Sequence, residues 1–128
     1  MINLLKDKHN SIALVGASND KSKYGYKILV DLISKGHTVI PVNNKEKEIE
    51  GMKVFQTVHE ILECPSIINF VVPPNIGFNI TKDLVECGYD NFWYQPGAES
   101  FEISSYLTDN RKNFIDDKCI MVATAFNN

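Results

Sequence analysis

The feature that most limits the fold is the run Ser11–Val15, which is followed by Gly16, a polar loop and an apolar helical repeat. The run does not alternate between apolar and polar residues, which is typical of a parallel strand covered on both faces. Beyond the loop, apolar residues recur at helical spacing from Tyr24, and Gly36 is a helix stop signal. The pattern predicts a strand, a phosphate-type loop and a helix in succession.

The same unit recurs along the chain. Further strands are predicted at Thr38–Val42, Ile67–Val72, Phe92–Tyr94 and about Phe114–Asp116, and helices at Val58–Leu62, from Pro74 to about Cys87, and from about Glu99 to Asn110. We expect Pro41 at the end of its strand, since proline cannot donate a ladder hydrogen bond. The alternation predicts an α/β, Rossmann-like, doubly wound fold with a mainly parallel five-stranded sheet and helices on both faces.

Length and charge narrow the class of protein. With 128 residues, of which 44% are hydrophobic and 23% charged, the chain is expected to form one domain over residues 1–128, with residues 1–10 as a leading arm or short helix. A net charge of −3 argues against a nucleic-acid binder. No apolar run approaches the roughly 20 residues that span a bilayer, and the N-terminal residues do not resemble a secretory signal. We therefore expect a cytoplasmic protein without membrane contact.

The cysteines and histidines are scattered. Cys64, Cys87 and Cys119 contain no C-x-x-C pair, and no two of the three histidines have the spacing that places ligands on one helix face. The sequence therefore predicts buried thiols and no metal site.

The loop after the first strand has anion-binding character. Gly16-Ala17-Ser18 retains only the first glycine of the G-x-G-x-x-G dinucleotide fingerprint, with Ser18 at the second position. A glycine, a hydroxyl donor and the N-terminus of a helix suit a phosphate, and Lys21, Lys23 and Lys27 add positive charge. A plain strand-to-helix turn is the alternative.

The loop after the second strand narrows the choice of nucleotide. A dinucleotide fold places Asp or Glu there for the ribose hydroxyls, whereas this chain reads Pro41-Val42-Asn43-Asn44-Lys45. Amides and a lysine suit a ribose that carries a phosphate. Both NADP and the 3′-phosphorylated adenosine of coenzyme A (CoA) meet this requirement.

Two further loops add rigid, apolar backbone. Val72-Pro73-Pro74 and Gln95-Pro96-Gly97 follow the third and fourth predicted strands. Such loops can pack a flat base or an extended chain. Each, taken singly, is also ordinary turn chemistry.

Taken together and in order, these segments resemble the small standalone CoA-binding domain proteins, which are similar to the N-terminal domain of the succinyl-CoA synthetase alpha subunit. The resemblance extends from Ser11 to Val122 and includes Phe92–Glu99 and the closing Cys119-Ile120-Met121. It departs from the usual pattern at Asn44, where proline is more common, and at Asp116-Asp117, which leaves the role of Cys119 open.

The resemblance implies CoA held at the carboxyl ends of the strands, with residues assigned by position. Near the phosphates, at the first loop and the helix entrance, would lie Gly16, Ala17, Ser18, Lys23, Tyr24, Gly25 and Tyr26. The adenosine and its phosphate would contact Pro41, Val42, Asn43 and Lys45. The other side of the ligand would contact Val72, Pro73, Pro74, Gln95, Pro96 and Gly97.

No catalytic constellation emerges from the sequence. The first hypothesis is therefore a non-catalytic module that binds CoA or an acyl-CoA for storage, sensing or presentation to a protein partner. An NADP-binding oxidoreductase or its subunit is the alternative, and a fold kept only as an interaction surface is a third. A homodimer is left open, since the apolar terminal segment could pack on its own domain or on a second copy.

Overall fold

The computed structural model describes residues 1–126 and contains one main sheet, a small hairpin and four α-helices. The strands are β1 (Ser11–Val15), β2 (Thr38–Val42), β3 (Glu48–Ile49), β4 (Met52–Lys53), β5 (Ile67–Phe70), β6 (Asn91–Tyr94) and β7 (Asn113–Ile115). The helices are α1 (Tyr24–Ser34), α2 (Pro74–Glu86), α3 (Phe101–Asp109) and α4 (Ile120–Ala123), with 3-10 turns at Ile2–Lys6 and Val58–Glu60. No helix in this part of the chain is long and apolar enough to cross a membrane.

The main sheet has the strand order β2-β1-β5-β6-β7, and every neighbouring pair is parallel. Helices α1 and α4 contact each other on one face, and α2 and α3 contact each other on the other. The predicted Rossmann-like, doubly wound fold is therefore confirmed. Strand order reverses between β1 and β5, and in such sheets a crevice forms there, beyond the carboxyl ends of the strands.

The sheet separates two hydrophobic cores. The core on the α1 side contains Ile12, Leu14, Ile28, Leu29, Leu32, Ile67 and Trp93, and the core on the α2 side contains Ala13, Val15, Ile68, Phe70, Phe92, Tyr94 and Leu107. Adjacent residues of β1 thus enter opposite cores, which explains the continuous apolar run of this strand. Helical spacing also places Ile33 on the apolar stripe of α1, but this residue is 39% exposed, because it lies at the edge of that stripe near the helix end.

The charged residues 45–51 are typical of a surface loop or turn, and residues 52–55 of a short extended segment, but the structure pairs the two segments. Strands β3 and β4 pair as an antiparallel hairpin around Glu50 and Gly51, which both have positive φ angles. Two such residues form the tight turn whose twist suits a hairpin. The predicted helix at Val58–Leu62 is only the 3-10 turn Val58–Glu60. Thr57 and Glu60 have the spacing of a capping box, and the box is present, since the Glu60 carboxylate accepts the Thr57 N–H.

A buried hydrogen-bond chain fixes α2 on the sheet. The Thr81 hydroxyl donates to the Gly77 carbonyl at 2.7 Å, so it accepts the Tyr94 hydroxyl, which lies 2.6 Å away. Burial raises the pKa of Tyr94, so its hydroxyl stays protonated as the donor. The Tyr94 ring also stacks on Phe70 with centroids 4.7 Å apart. These contacts hold α2 next to the carboxyl ends of β5 and β6.

The C-terminal segment packs on its own domain. Ile120 is fully buried in the α1-side core. The Lys35 ammonium donates to the Met121 carbonyl at 2.7 Å and to the Thr124 hydroxyl at 3.1 Å, and the Trp93 indole donates to the Lys118 carbonyl. Of the two placements left open by the sequence, the structure shows this segment against its own sheet.

Candidate functional site

The larger of two neighbouring cavities, called here the first cleft, has a volume of about 480 Å³. It opens at the carboxyl ends of β1, β2 and β5, where strand order reverses. From the strand ends it is lined by Val15, Gly16, Val42, Asn43, Asn44 and Val72. This is the crevice in which doubly wound sheets bind their ligands.

The outer wall of the first cleft was not predicted. It is formed by Gln56–His59 around the 3-10 turn and by Ile76, Asn79, Ile80, Asp83 and Leu84 of α2. The spacing of the α2 residues marks one helix face, and the apolar residues on it, Ile76, Ile80 and Leu84, have the pattern of an ordinary core stripe. Leu84 is buried, but Ile76 is 47% exposed because the cleft lies between this face and the sheet.

A second cleft of about 430 Å³ lies beyond the ends of β5 and β6. It is lined by Tyr24, Val71, Val72, Pro73, Pro74, Gln95, Pro96, Gly97 and Cys119. Pro73 is the N-cap residue of α2 and Pro74 is its first residue, as predicted from the Pro-Pro pair. Val72 lines both cavities, so the two clefts adjoin at this residue.

The start of α1 packs unusually close to the end of β1. A Cβ on Gly25 would stand 2.0 Å from the Gly16 carbonyl oxygen, so only glycine permits this approach. Gly16 has a φ of +104°, and a Cβ there would lie 3.1 Å from Val72 Cγ1. The two glycines therefore bring the N-terminus of α1 against the first loop, and Gly25 has the helix-packing role of the third fingerprint glycine.

In the described part of the chain, the backbone N–H groups at the N-terminus of α1 are not bonded to a capping side chain. Within residues 1–126, no side chain caps this helix, and its first turn contains no acidic residue. Uncapped N–H groups and the helix dipole favour an anion. The loop before it also contains Asp20, whose carboxylate accepts two hydrogen bonds from Ser22, and these lower the pKa of Asp20.

Asn43 joins the first two loops. Its Nδ2 donates to the Ala17 carbonyl at 2.8 Å, and its Oδ1 accepts the N–H groups of Lys45 and Glu46. The side-chain amide of Asn43 thus fixes the geometry of both loops, and the residue also lines the first cleft. Lys45 lies two residues further along the chain, and its side chain is exposed.

Residues 10–125 match the family model described as the CoA binding domain. The chain belongs to the CoA-binding domain family. It is 38% identical over 78 residues to the alpha subunit of an ADP-forming acetate–CoA ligase II from Pyrococcus furiosus; the alignment covers 60% of this chain and 16% of that subunit. Over 114 residues it is 27% identical to the uncharacterized protein YneT of Bacillus subtilis, with 89% of this chain and 84% of that protein covered.

A solved structure of a conserved hypothetical protein from Pyrococcus furiosus is also similar. It is 47% identical, has a TM-score of 0.85 and covers 88% of this chain and 97% of that one. The resemblance to CoA-binding domains, predicted from the ordered motifs, is confirmed by the family match. The chain spans only about a sixth of the ligase subunit, so the activity of the ligase is not carried over.

Within this CoA-binding domain, the predicted site residues fall into two groups. Those that line a cleft are Gly16, Tyr24, Val42, Asn43, Val72, Pro73, Pro74, Gln95, Pro96 and Gly97. Those that line neither are Ala17, Ser18, Lys23, Gly25, Tyr26, Pro41 and Lys45. The roles of both groups in ligand binding stay predictions. For several residues of the second group, the contacts in the structure indicate a structural role.

In this second group, Ala17 and Pro41 are buried, and the Tyr26 ring packs against the α1-side core. Partial burial and the nearby Glu50 carboxylate raise the pKa of Tyr26. The Ser18 hydroxyl accepts the Asp20 N–H at 3.0 Å and thereby shapes the loop. The types of residue in a loop do not predict which of them bond to each other, so the sequence did not indicate this role of Ser18.

The cysteines differ from the expected buried thiols. Cys64 and Cys87 are exposed, because one lies in the loop before β5 and the other at the end of α2. Cys119 is half-buried in the wall of the second cleft, where the Gln95 amide donates to its Sγ at 3.1 Å. The same Gln95 accepts the Ile120 N–H, so it holds the start of α4 beside the cleft.

Proposed function

We propose that this chain binds CoA or an acyl-CoA across the two clefts, without catalysing a reaction of its own, and stores, senses or presents the ligand to a partner. The observation that carries the proposal is that the clefts adjoin at Val72 beneath the uncapped N-terminus of α1, in a chain of the CoA-binding domain family. An elongated nucleotide conjugate fits such a paired cavity better than a compact metabolite does.

The chemistry of each part suits one part of CoA. The first cleft has apolar walls from Val15, Val42 and Val72, which suit a flat adenine ring. The backbone N–H groups at the start of α1 suit the pyrophosphate. The second cleft, with its rigid Pro-rich backbone, suits the narrow, extended pantetheine arm, and would direct the ligand's thiol or acyl end toward Gln95 and Cys119.

The cleft linings support a binding role. Among the described residues that line them, no serine, cysteine or lysine is hydrogen-bonded to a histidine, which is the usual arrangement of an activated nucleophile. The one histidine of the linings, His59, pairs with Asp83. A cytoplasmic location stays a prediction from the sequence, and the presence of a protein partner or a second copy stays open.

Ligand titration tests the proposal. Isothermal titration calorimetry and thermal unfolding should be run with CoA, acetyl-CoA, dephospho-CoA, NADP and NAD. We expect CoA or acetyl-CoA to bind and to raise the melting temperature, since a ligand that binds only the folded state stabilises it. Stabilisation by NADP or NAD alone would replace the proposal with the oxidoreductase alternative. Binding of none of the five would favour an interaction surface.

A further inference from the structure

Three side chains with metal-binding atoms converge where the 3-10 turn Val58–Glu60 meets the last turn of α2. One ligand atom from each of His59, Asp83 and Cys87 lies within 4.8 Å of the other two. His59 Nε2 and Asp83 Oδ2 are 2.5 Å apart. All three residues are exposed, so an ion could reach them from solvent without any opening of the core.

The backbone holds these residues in place. Asp83 and Cys87 are four residues apart, so they lie on the same side of α2. Cys87 is the C-cap residue, and its N–H bonds to the carbonyls of Asp83 and Leu84. His59 lies in a turn fixed by the Glu60 carboxylate, which accepts the Gln56 and Thr57 N–H groups. The cluster therefore joins two ordered elements and needs no loop rearrangement to form.

We propose that His59, Asp83 and Cys87 bind a Zn²⁺ ion. Imidazole nitrogen, carboxylate oxygen and thiolate sulfur are the three ligand types that zinc takes in proteins, and water can complete a four-coordinate site. Bonds of about 2.0–2.3 Å in a tetrahedral site place ligand atoms roughly 3.5 Å apart. His59 Nε2 and Asp83 Oδ2 are about 1 Å closer to each other than this, so in the proposed site their side chains rotate apart to admit the ion. The negative end of the α2 dipole also favours a cation here.

This inference goes beyond CoA binding and does not depend on it. His59 and Asp83 line the rim of the first cleft, whereas Cys87 lies outside its lining. The sequence predicts no metal site because its cysteines form no C-x-x-C pair and no two of its histidines have ligand spacing. Asp83 and Cys87 are close along the chain, but His59 lies 24 residues before Asp83. The fold brings together two elements that spacing in the sequence cannot relate. All tests are run on protein free of CoA, whose own thiol would compete for zinc.

Cobalt titration provides a spectroscopic test, since Co²⁺ takes the place of Zn²⁺ and reports its ligands by absorption. We expect one equivalent of Co²⁺ to give a thiolate-to-cobalt charge-transfer band and the visible bands of a tetrahedral site, and Zn²⁺ to displace it. The absence of a charge-transfer band would overturn the proposal.

Matched variants identify the ligands. Cys87→Ser should abolish the charge-transfer band, while Cys64→Ser, which removes the other exposed thiol, should leave it unchanged. His59→Gln and Asp83→Asn should each weaken cobalt binding, and thermal unfolding without metal checks that they fold. Unchanged binding in Cys87→Ser, or in both His59→Gln and Asp83→Asn, would show that the ion lies elsewhere.

A second measurement needs no variant. Alkylation of the native chain by iodoacetamide, followed by peptide mass spectrometry, reports each thiol separately. Zn²⁺ should protect Cys87 and leave the exposed Cys64 as reactive as before. Equal labelling of Cys87 with and without Zn²⁺ would contradict the site.

Discussion

At the scale of single residues, substitution of Lys45 tests the proposed orientation of CoA. Lys45 lies two residues after Asn43, which lines the first cleft, and its side chain is exposed. In the proposed binding mode its ammonium contacts the phosphate on the adenosine. Replacement by alanine should weaken CoA binding roughly tenfold, which corresponds to about 1.4 kcal/mol, and should affect dephospho-CoA much less. Calorimetric titration of both ligands measures the difference.

The neighbouring Lys47 provides the control, because it is an exposed lysine of the same segment. Lys47→Ala should leave the preference for CoA over dephospho-CoA unchanged. Equal losses for the two ligands in Lys45→Ala would place the 3′-phosphate elsewhere.

A buried histidine gives the fold an acid sensitivity. His37 is 6% exposed, and neither ring nitrogen has a hydrogen-bond partner within residues 1–126. Burial, and then the ammonium groups of Lys8 and Lys35, lower the pKa of His37 from its usual 6.5, against a smaller opposing effect of Asp31. Below that usual value the unfolded chain binds a proton that the folded chain does not, so the free energy of unfolding falls as the pH decreases.

We therefore expect the stability of the chain to decline as the pH is lowered from about 7 to about 5, and His37→Phe to remove most of this decline. Urea unfolding at a series of pH values measures it. His9→Gln, at an exposed histidine, should retain the decline. Asp7 and Asp20 have lowered pKa values from a usual 3.8, so their contribution is lost only in more acidic solution. A decline that persists in His37→Phe would assign the effect to other groups.

At the scale of elements, the packing of α1 on β1 decides where the helix N-terminus lies. The methyl group of Gly25→Ala would overlap the Gly16 carbonyl, so the helix must move away from the loop. We expect a loss of about 1–3 kcal/mol in the free energy of unfolding, and weaker CoA binding because the donors at the start of α1 move with it. Chemical denaturation and calorimetry measure the two effects.

Gly77→Ala is the matched substitution in α2. A Cβ there meets Val72 Cγ2 at 3.5 Å and Phe70 Cδ2 at 3.6 Å, which are ordinary contacts. Because alanine is preferred over glycine inside a helix, this variant should be as stable as the native chain or more so. If Gly25→Ala is equally well tolerated, the close approach of α1 to β1 does not constrain the fold.

At the scale of the whole molecule, the sequence predicts the fold well because its signals are local. Continuous apolar runs mark strands buried on both faces, and Gly16 and Pro74 mark the starts of crossovers. What it misses depends on contacts between distant segments. The β3–β4 hairpin was hidden in a charged stretch, and the outer wall of the first cleft comes from an α2 face that resembles an ordinary core stripe.

The same limit applies to the candidate site. The family pattern placed Asn43 and Gln95 at the ligand, and both line a cleft, but their amides also hold neighbouring segments together. Residue type predicts that such an amide will be hydrogen-bonded when it is half-buried or buried. It does not say whether the partner will be a loop carbonyl, the start of α4 or a ligand.

The position of Pro41 also affects how copies of this chain can meet. It lies in the edge strand β2, one residue before the strand ends, and its carbonyl accepts the Phe55 N–H, while the Phe55 carbonyl accepts the Asn43 N–H. Open strand edges invite pairing with other chains, and a proline or a covering segment blocks it. The outer edge of β2 is thus closed near the clefts, so a second copy could not extend the sheet there and any self-association must use another surface.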